Sequence, residues 1–159
     1  MTLPPALRRR LNRRTARLGA IVAAGGGIGA AARGWVEDTW PPSPGAFPTT
    51  TLVVNASGCL AMGVLMVLLE NTLRGRVYTR PFLGIGFLGG FTTFSLVADE
   101  TRALFDDRPA LALSYFVGTA VVAVVATAAG FALSSAVLTP RAVPAEPRTS
   151  VEAYPPVAP

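Results

Sequence analysis

A chain of 159 residues, 51% hydrophobic and only 14% charged, has room for one domain and too little charge to cover an ordinary soluble surface. All 14 basic residues are arginine, with no lysine or histidine, so no imidazole or amine near neutrality is available and ordinary acid/base enzymology is not expected. The single cysteine, Cys59, rules out an intramolecular disulfide and a CxxC or Cys/His metal site, and leaves the redox compartment open.

Residues 1–17 form a basic segment. Arg8, Arg9, Arg10, Arg13, Arg14 and Arg17 stand directly before the first apolar run, where a cytoplasmic membrane flank would place them. A nucleic-acid-binding face would spread its cations over a fold with interleaved aromatics, so no nucleic-acid partner is expected.

Four apolar segments follow, at about 18–36, 49–69, 81–98 and 111–137. At about 1.5 Å of rise per residue, roughly twenty residues cross the hydrocarbon core, and each segment is near or above that length. The chain therefore reads as an all-α membrane protein of four transmembrane helices over residues 18–138. Its connections carry turn chemistry: "WPPSPGAFP", "ENTLRGRVYTR" and "DDRP". The last 21 residues, 139–159, are rich in proline and poor in large apolar side chains, and read as a disordered tail. Eleven arginines fall in the amino-terminal flank, the second loop (Arg74, Arg76, Arg80) and the tail (Arg141, Arg148). Three (Arg33, Arg102, Arg108) fall on the other side, which predicts both termini in the cytoplasm.

Three patterns invite other readings. "GGGIGA" has the G-x-G-x-x-A spacing of a dinucleotide-binding turn, but no acidic residue lies about 20 positions on and no βαβ alternation follows. Gly25-x-x-x-Gly29 fits better as a surface on which two membrane helices approach closely. "RRRLNRR" before an apolar stretch has the outline of a signal peptide, although three further spans favour an uncleaved first helix. The sequon at Asn55 lies within an apolar span, out of reach of a glycosyltransferase.

Polar side chains inside hydrocarbon are functional candidates because each costs free energy without a partner. Here they are Asn55 and Ser57 in the second span, Thr92, Thr93 and Ser95 in the third, and Ser114, Tyr115, Thr119 and Thr127 in the fourth. All are neutral and all can donate hydrogen bonds, which favours a small acceptor as ligand. The alternative for each Ser or Thr is a bond to its own helix backbone. In "GFLGGFTTFSLVADE", Gly89 and Gly90 each lower helix stability by about 1 kcal/mol relative to alanine. A break over 89–93 would fall about halfway through the third span, near the bilayer midplane. There it would expose N–H groups at one new end and carbonyls at the other, able to hold an anion and a cation respectively. A glycine kink for close packing is the competing explanation.

"GGGIGAAAR", "TLVVNASGCLAMG" and "GFLGGFTTFSLVADE" together resemble the Fluc/CrcB fluoride channel family over about residues 25–131. The resemblance implies a bacterial-type plasma-membrane protein forming an antiparallel dimer, with fluoride pores and a structural Na+ at its centre. By motif the Na+ falls on the backbone carbonyls of Gly89 and Thr92. The fluoride pathway falls on Asn55, Thr93, Phe94 and Ser95, joined more loosely by Tyr115 and Thr119, with Arg33 and Glu100 at the vestibule.

The family motif places a second phenylalanine three residues after the first, where this chain has Val97, and Thr50 stands where a glycine is expected. Eleven arginines against three is also a strong bias for a chain that must insert both ways. The missing second phenylalanine and the arginine bias both point to a heterodimer with a homologous subunit of opposite bias. The competing functions are a secondary transporter coupled to protons through Glu100 or Asp99, and a nonconducting structural subunit.

Overall fold

The computed structural model describes residues 5–41, 46–73 and 76–138. The tail expected to be disordered, together with Arg74, lies outside the described residues. All elements among them are helices: α1 (Pro5–Thr39), α2 (Thr49–Asn71), a π-helical segment (Arg80–Leu88), α3 (Gly89–Phe91), α4 (Ser95–Phe105) and α5 (Pro109–Val137). Four stretches are long and apolar enough to cross a membrane: Arg13–Thr39, Thr49–Asn71, Arg80–Phe105 and Pro109–Val137. This is the all-helical, four-span architecture read from the sequence. One difference lies at the amino terminus, where α1 starts at Pro5 and runs through the basic stretch as helix.

The second and fourth crossings pack along their length, because glycines let their backbones meet. A Cβ on Gly63 would overlap the Thr127 carbonyl oxygen, and one on Gly130 would overlap that of Leu60. Around this pair the third crossing changes partner. Its first half, the π-helical segment and α3, packs on α1, while α4 packs on α5.

The seam with α1 is made by small residues on both sides. A Cβ on Gly25 would strike the Phe82 carbonyl, one on Gly29 the Phe87 carbonyl, and one on Gly90 the Gly26 carbonyl. Without a hydrophobic drive between helices in lipid, close van der Waals contact of this kind is a main source of association. The Gly25-x-x-x-Gly29 spacing thus serves helix packing.

Large apolar side chains such as Ile85, Leu113, Val124 and Leu133 stand on the outside, each more than half exposed. In water they would be a liability, and in a bilayer they meet lipid tails.

Gly29→Ala is expected to destabilise the protein by about 1–3 kcal/mol, since the added methyl meets backbone that cannot retreat. A methyl group on Gly27 would meet nothing within 4 Å, so Gly27→Ala should be neutral or slightly stabilising. Thermal unfolding of the detergent-solubilised protein distinguishes the two, and equal melting temperatures would contradict the packing described.

Candidate functional site

Most hydroxyls in the spans bond to their own helix. Thr92 donates to the Leu88 carbonyl, Ser57 to Val54, Ser114 to Leu111, Thr119 to Tyr115 and Thr127 to Ala123, all at 2.7–2.9 Å. For these the ordinary backbone explanation holds. Among the described residues, several side chains reach outside their own helix, and most of those in the spans gather at Asn55 and Glu100.

Asn55 Nδ2 donates to the Thr93 carbonyl at 2.8 Å, and its Oδ1 accepts the Thr93 N–H at 2.8 Å. One amide therefore takes both backbone polar groups of a single residue across 38 positions of sequence. The backbone there is not helical: α3 ends at Phe91, Thr92 is extended at φ −78° and ψ 153°, and α4 begins at Ser95.

This pairing removes donors from the helix ladder. In a continuous helix the Gly89 carbonyl would accept the Thr93 N–H, which goes to Asn55 instead. The Thr92 carbonyl would accept the Leu96 N–H, which goes to Thr93 Oγ1 at 3.3 Å. Gly89 and Thr92 are the residues whose carbonyls the family resemblance assigns to Na+. Hard carbonyl oxygens released from helix bonding are suitable donors for such a cation, so this donor set fits the ion.

Thr93 and Ser95 pair through their hydroxyls at 3.2 Å. Phe94, between them, is 71% exposed. Its ring meets that of Phe116 edge-on, at 6.0 Å between centroids and 66° between planes. Thr93, Phe94 and Phe116 line a furrow of about 220 Å3 together with Asn55, Thr92, Val97 and Thr119.

Val97 itself is only 3% exposed, so it contributes to the wall as a packed residue. Phe116, on α5, was not singled out in the sequence. Phenylalanine is ordinary on a lipid-facing helix, and only its position on the fold sets it apart.

A second cluster surrounds Glu100. Tyr115 Oη donates to Oε2 at 2.5 Å and Thr51 Oγ1 to Oε1 at 2.6 Å, so the carboxylate ties α2, α4 and α5 together. Tyr115 is fully buried, and Phe47 packs edge-on against its ring. Thr51 was also missed in the sequence, although it stands one helical turn before Asn55 and so shares its face.

Arg33 lies elsewhere. Its Nη1 pairs with Glu37 at 3.0 Å and its Nε approaches the Gly90 carbonyl at 3.5 Å. Of the expected site residues, Asn55, Thr92, Thr93, Phe94 and Thr119 come together at one furrow, with Ser95 hydrogen-bonded at its edge. Tyr115 and Glu100 form the neighbouring cluster, and Arg33 shares a partner with neither group.

Together these features define a class: a multi-pass helical membrane protein whose third crossing is opened beside an aromatic, hydroxyl-lined furrow. The family model described as "CrcB-like protein, Camphor Resistance (CrcB)" matches residues 20–131, and the chain belongs to that family. It is 47% identical over 108 residues to "Fluoride-specific ion channel FluC 1" of Streptomyces coelicolor, covering 67% of this chain and 70% of the relative. It is 44% identical over 110 residues to "Fluoride-specific ion channel FluC 2" of Nocardia farcinica, covering 69% and 79%. A third relative, "Fluoride-specific ion channel FluC" of Paracoccus denitrificans, is 46% identical over 110 residues, covering 69% and 87%.

Replacing Asn55 by leucine leaves the Thr93 N–H and C=O without their partner. Each such loss costs about 1–3 kcal/mol, so Asn55→Leu should be strongly destabilised in detergent. Thr127→Val, which removes only a back-bonded hydroxyl, should unfold close to the wild-type temperature. Equal stability of Asn55→Leu and the wild type would contradict the assigned role.

Proposed function

We propose that this chain is a subunit of a fluoride-selective channel through which fluoride leaves the cytoplasm passively, down its own gradient. The observation that carries the reading is the opening of the third crossing by Asn55, directly beside the Phe94–Phe116 furrow.

Fluoride is small and strongly hydrated, so a selective path must replace its water with well-placed donors. Asn55 uses one N–H and its oxygen on Thr93, leaving its second amide N–H for a ligand. The Thr93–Ser95 hydroxyl pair has two protons and one mutual bond, so one proton is available. The exposed edges of Phe94 and Phe116 present the positive rim of their quadrupoles. Tyr115 and Thr51 donate to Glu100 and so act by holding the wall in this conformation, while the Thr119 hydroxyl bonds back to its own helix at the Tyr115 carbonyl. Arg33, whose charge is already paired with Glu37, is assigned to one mouth of the path only by its place in the motif.

Na+ is proposed at the centre of an antiparallel dimer, held by the carbonyls of Gly89 and Thr92. Its role is structural: it neutralises carbonyl dipoles that the break leaves without N–H partners. The dimer is proposed to pair this chain with a homologous subunit of opposite arginine bias, with both termini of this chain in the cytoplasm. The arginine split and Val97 support that pairing.

The test is fluoride efflux from liposomes. This chain with a homologous partner should conduct, with no response to an imposed pH gradient, and this chain alone should not. Phe94→Ile should lower efflux at least about tenfold, a loss equivalent to about 1.4 kcal/mol. Efflux that tracks the proton gradient would favour a coupled transporter. Unchanged efflux in Phe94→Ile would show that this subunit does not line the path, and efflux by the chain alone would overturn the heterodimer.

Removing Na+ supplies a separate check. Replacing it with N-methylglucamine should lower the melting temperature of the wild-type dimer. No shift over the same exchange would contradict a structural cation.

A further inference from the structure

At the end of the bundle opposite the α1–α2 connection, Arg13, Arg14, Thr15, Arg17 and Leu18 of α1 line a crevice of about 610 Å3 with Val77 and Tyr78. Val77 also lines a neighbouring crevice of about 400 Å3, whose walls include Arg76, Arg80 and Glu70. Nothing in the proposed channel uses either cavity.

We propose that the first crevice is a binding site for the phosphate of an anionic glycerophospholipid. Three guanidinium groups line it with no acidic residue among its walls, and none of the three has a carboxylate within ion-pair distance among the described residues. Arg13 and Arg17 are four apart on one helix and face the same side. Planar, forked donors of this kind match phosphate oxygens, and multi-arginine pockets where a helix enters the membrane are suited to lipid head groups.

The remaining walls identify the source of the phosphate. Leu18 opens the apolar part of α1, so the crevice sits where head groups meet acyl chains. Val77 is 67% exposed and Tyr78 51% exposed, one apolar and the other with the apolar body and polar tip favoured at that level. A free phosphate ion would gain nothing from Val77 or from the apolar body of the Tyr78 ring, whereas an acyl glycerol backbone would cover both. The crevice joins α1 to the turn that leads into the third crossing, so an occupying lipid would bridge two elements whose contact deeper in the membrane rests on glycines.

The experiment uses the full chain in neutral detergent, titrated separately with dioctanoyl phosphatidylglycerol, dioctanoyl phosphatidylcholine and inorganic phosphate, with thermal unfolding and native mass spectrometry as readouts. Phosphatidylglycerol should bind and raise the melting temperature, and the other two should not. The Arg13→Gln/Arg14→Gln/Arg17→Gln variant should bind phosphatidylglycerol at least about tenfold more weakly. Arg102→Gln, on α4, should bind as the wild type does. Val77→Asp should also weaken binding, without removing any arginine.

Equal binding of phosphatidylcholine, or unchanged binding by the triple variant, would overturn the site. Inorganic phosphate binding as tightly as the lipid would assign the crevice to a soluble anion and overturn the lipid assignment. None of these readouts depends on whether the protein conducts fluoride.

Discussion

The structure depends on one side-chain amide standing in for a neighbouring peptide. Inside hydrocarbon, an unpaired N–H or C=O is too costly to leave exposed, which is why spans are usually continuous helices. Asn55 offers Thr93 one donor and one acceptor in the geometry of a peptide group, so the third crossing can leave the helix there without orphaning that residue. The Thr93 hydroxyl then accepts the Leu96 N–H and starts the next helix. Sequence, backbone break and exposed carbonyls are linked through these few bonds.

The break also solves a packing problem. A straight third helix could lie along α1 or along α5, but this one does both in turn. Gly25, Gly29 and Gly90 allow contact at backbone distance in the first half, and Glu100 anchors the second half through Thr51 and Tyr115. The two anchors differ in kind. Glycine contacts are non-directional dispersion, whereas the carboxylate fixes three helices through directed, charge-assisted bonds. The furrow lies between them and inherits its shape from both.

The four spans were legible because length and hydropathy are sufficient for a membrane helix, and Gly25-x-x-x-Gly29 was legible because close approach has a spacing. Asn55 stood out because an amide in a span has no easy way to satisfy itself. Thr51 and Phe116 did not stand out. Threonine in a membrane helix ordinarily bonds its own backbone, as Thr92, Thr119 and Thr127 do, so residue type alone carries no signal.

Low helix propensity marks the glycine pair in the sequence, yet Gly90 is required by its contact with the Gly26 carbonyl, and the backbone leaves the helix at the residue Asn55 holds. The π-helical start of the third crossing, with the Gly89 N–H reaching back to Gly84, has no sequence signature that propensity or periodicity captures.

The claim that a side-chain amide keeps this crossing open is tested most directly by backbone carbon chemical shifts of Thr92 and Thr93 in isotopically labelled protein. The wild type should show extended values at Thr92, and Asn55→Leu should move both residues toward helical values. Helical shifts at Thr92 in the wild type, or no change on losing the amide, would contradict the account.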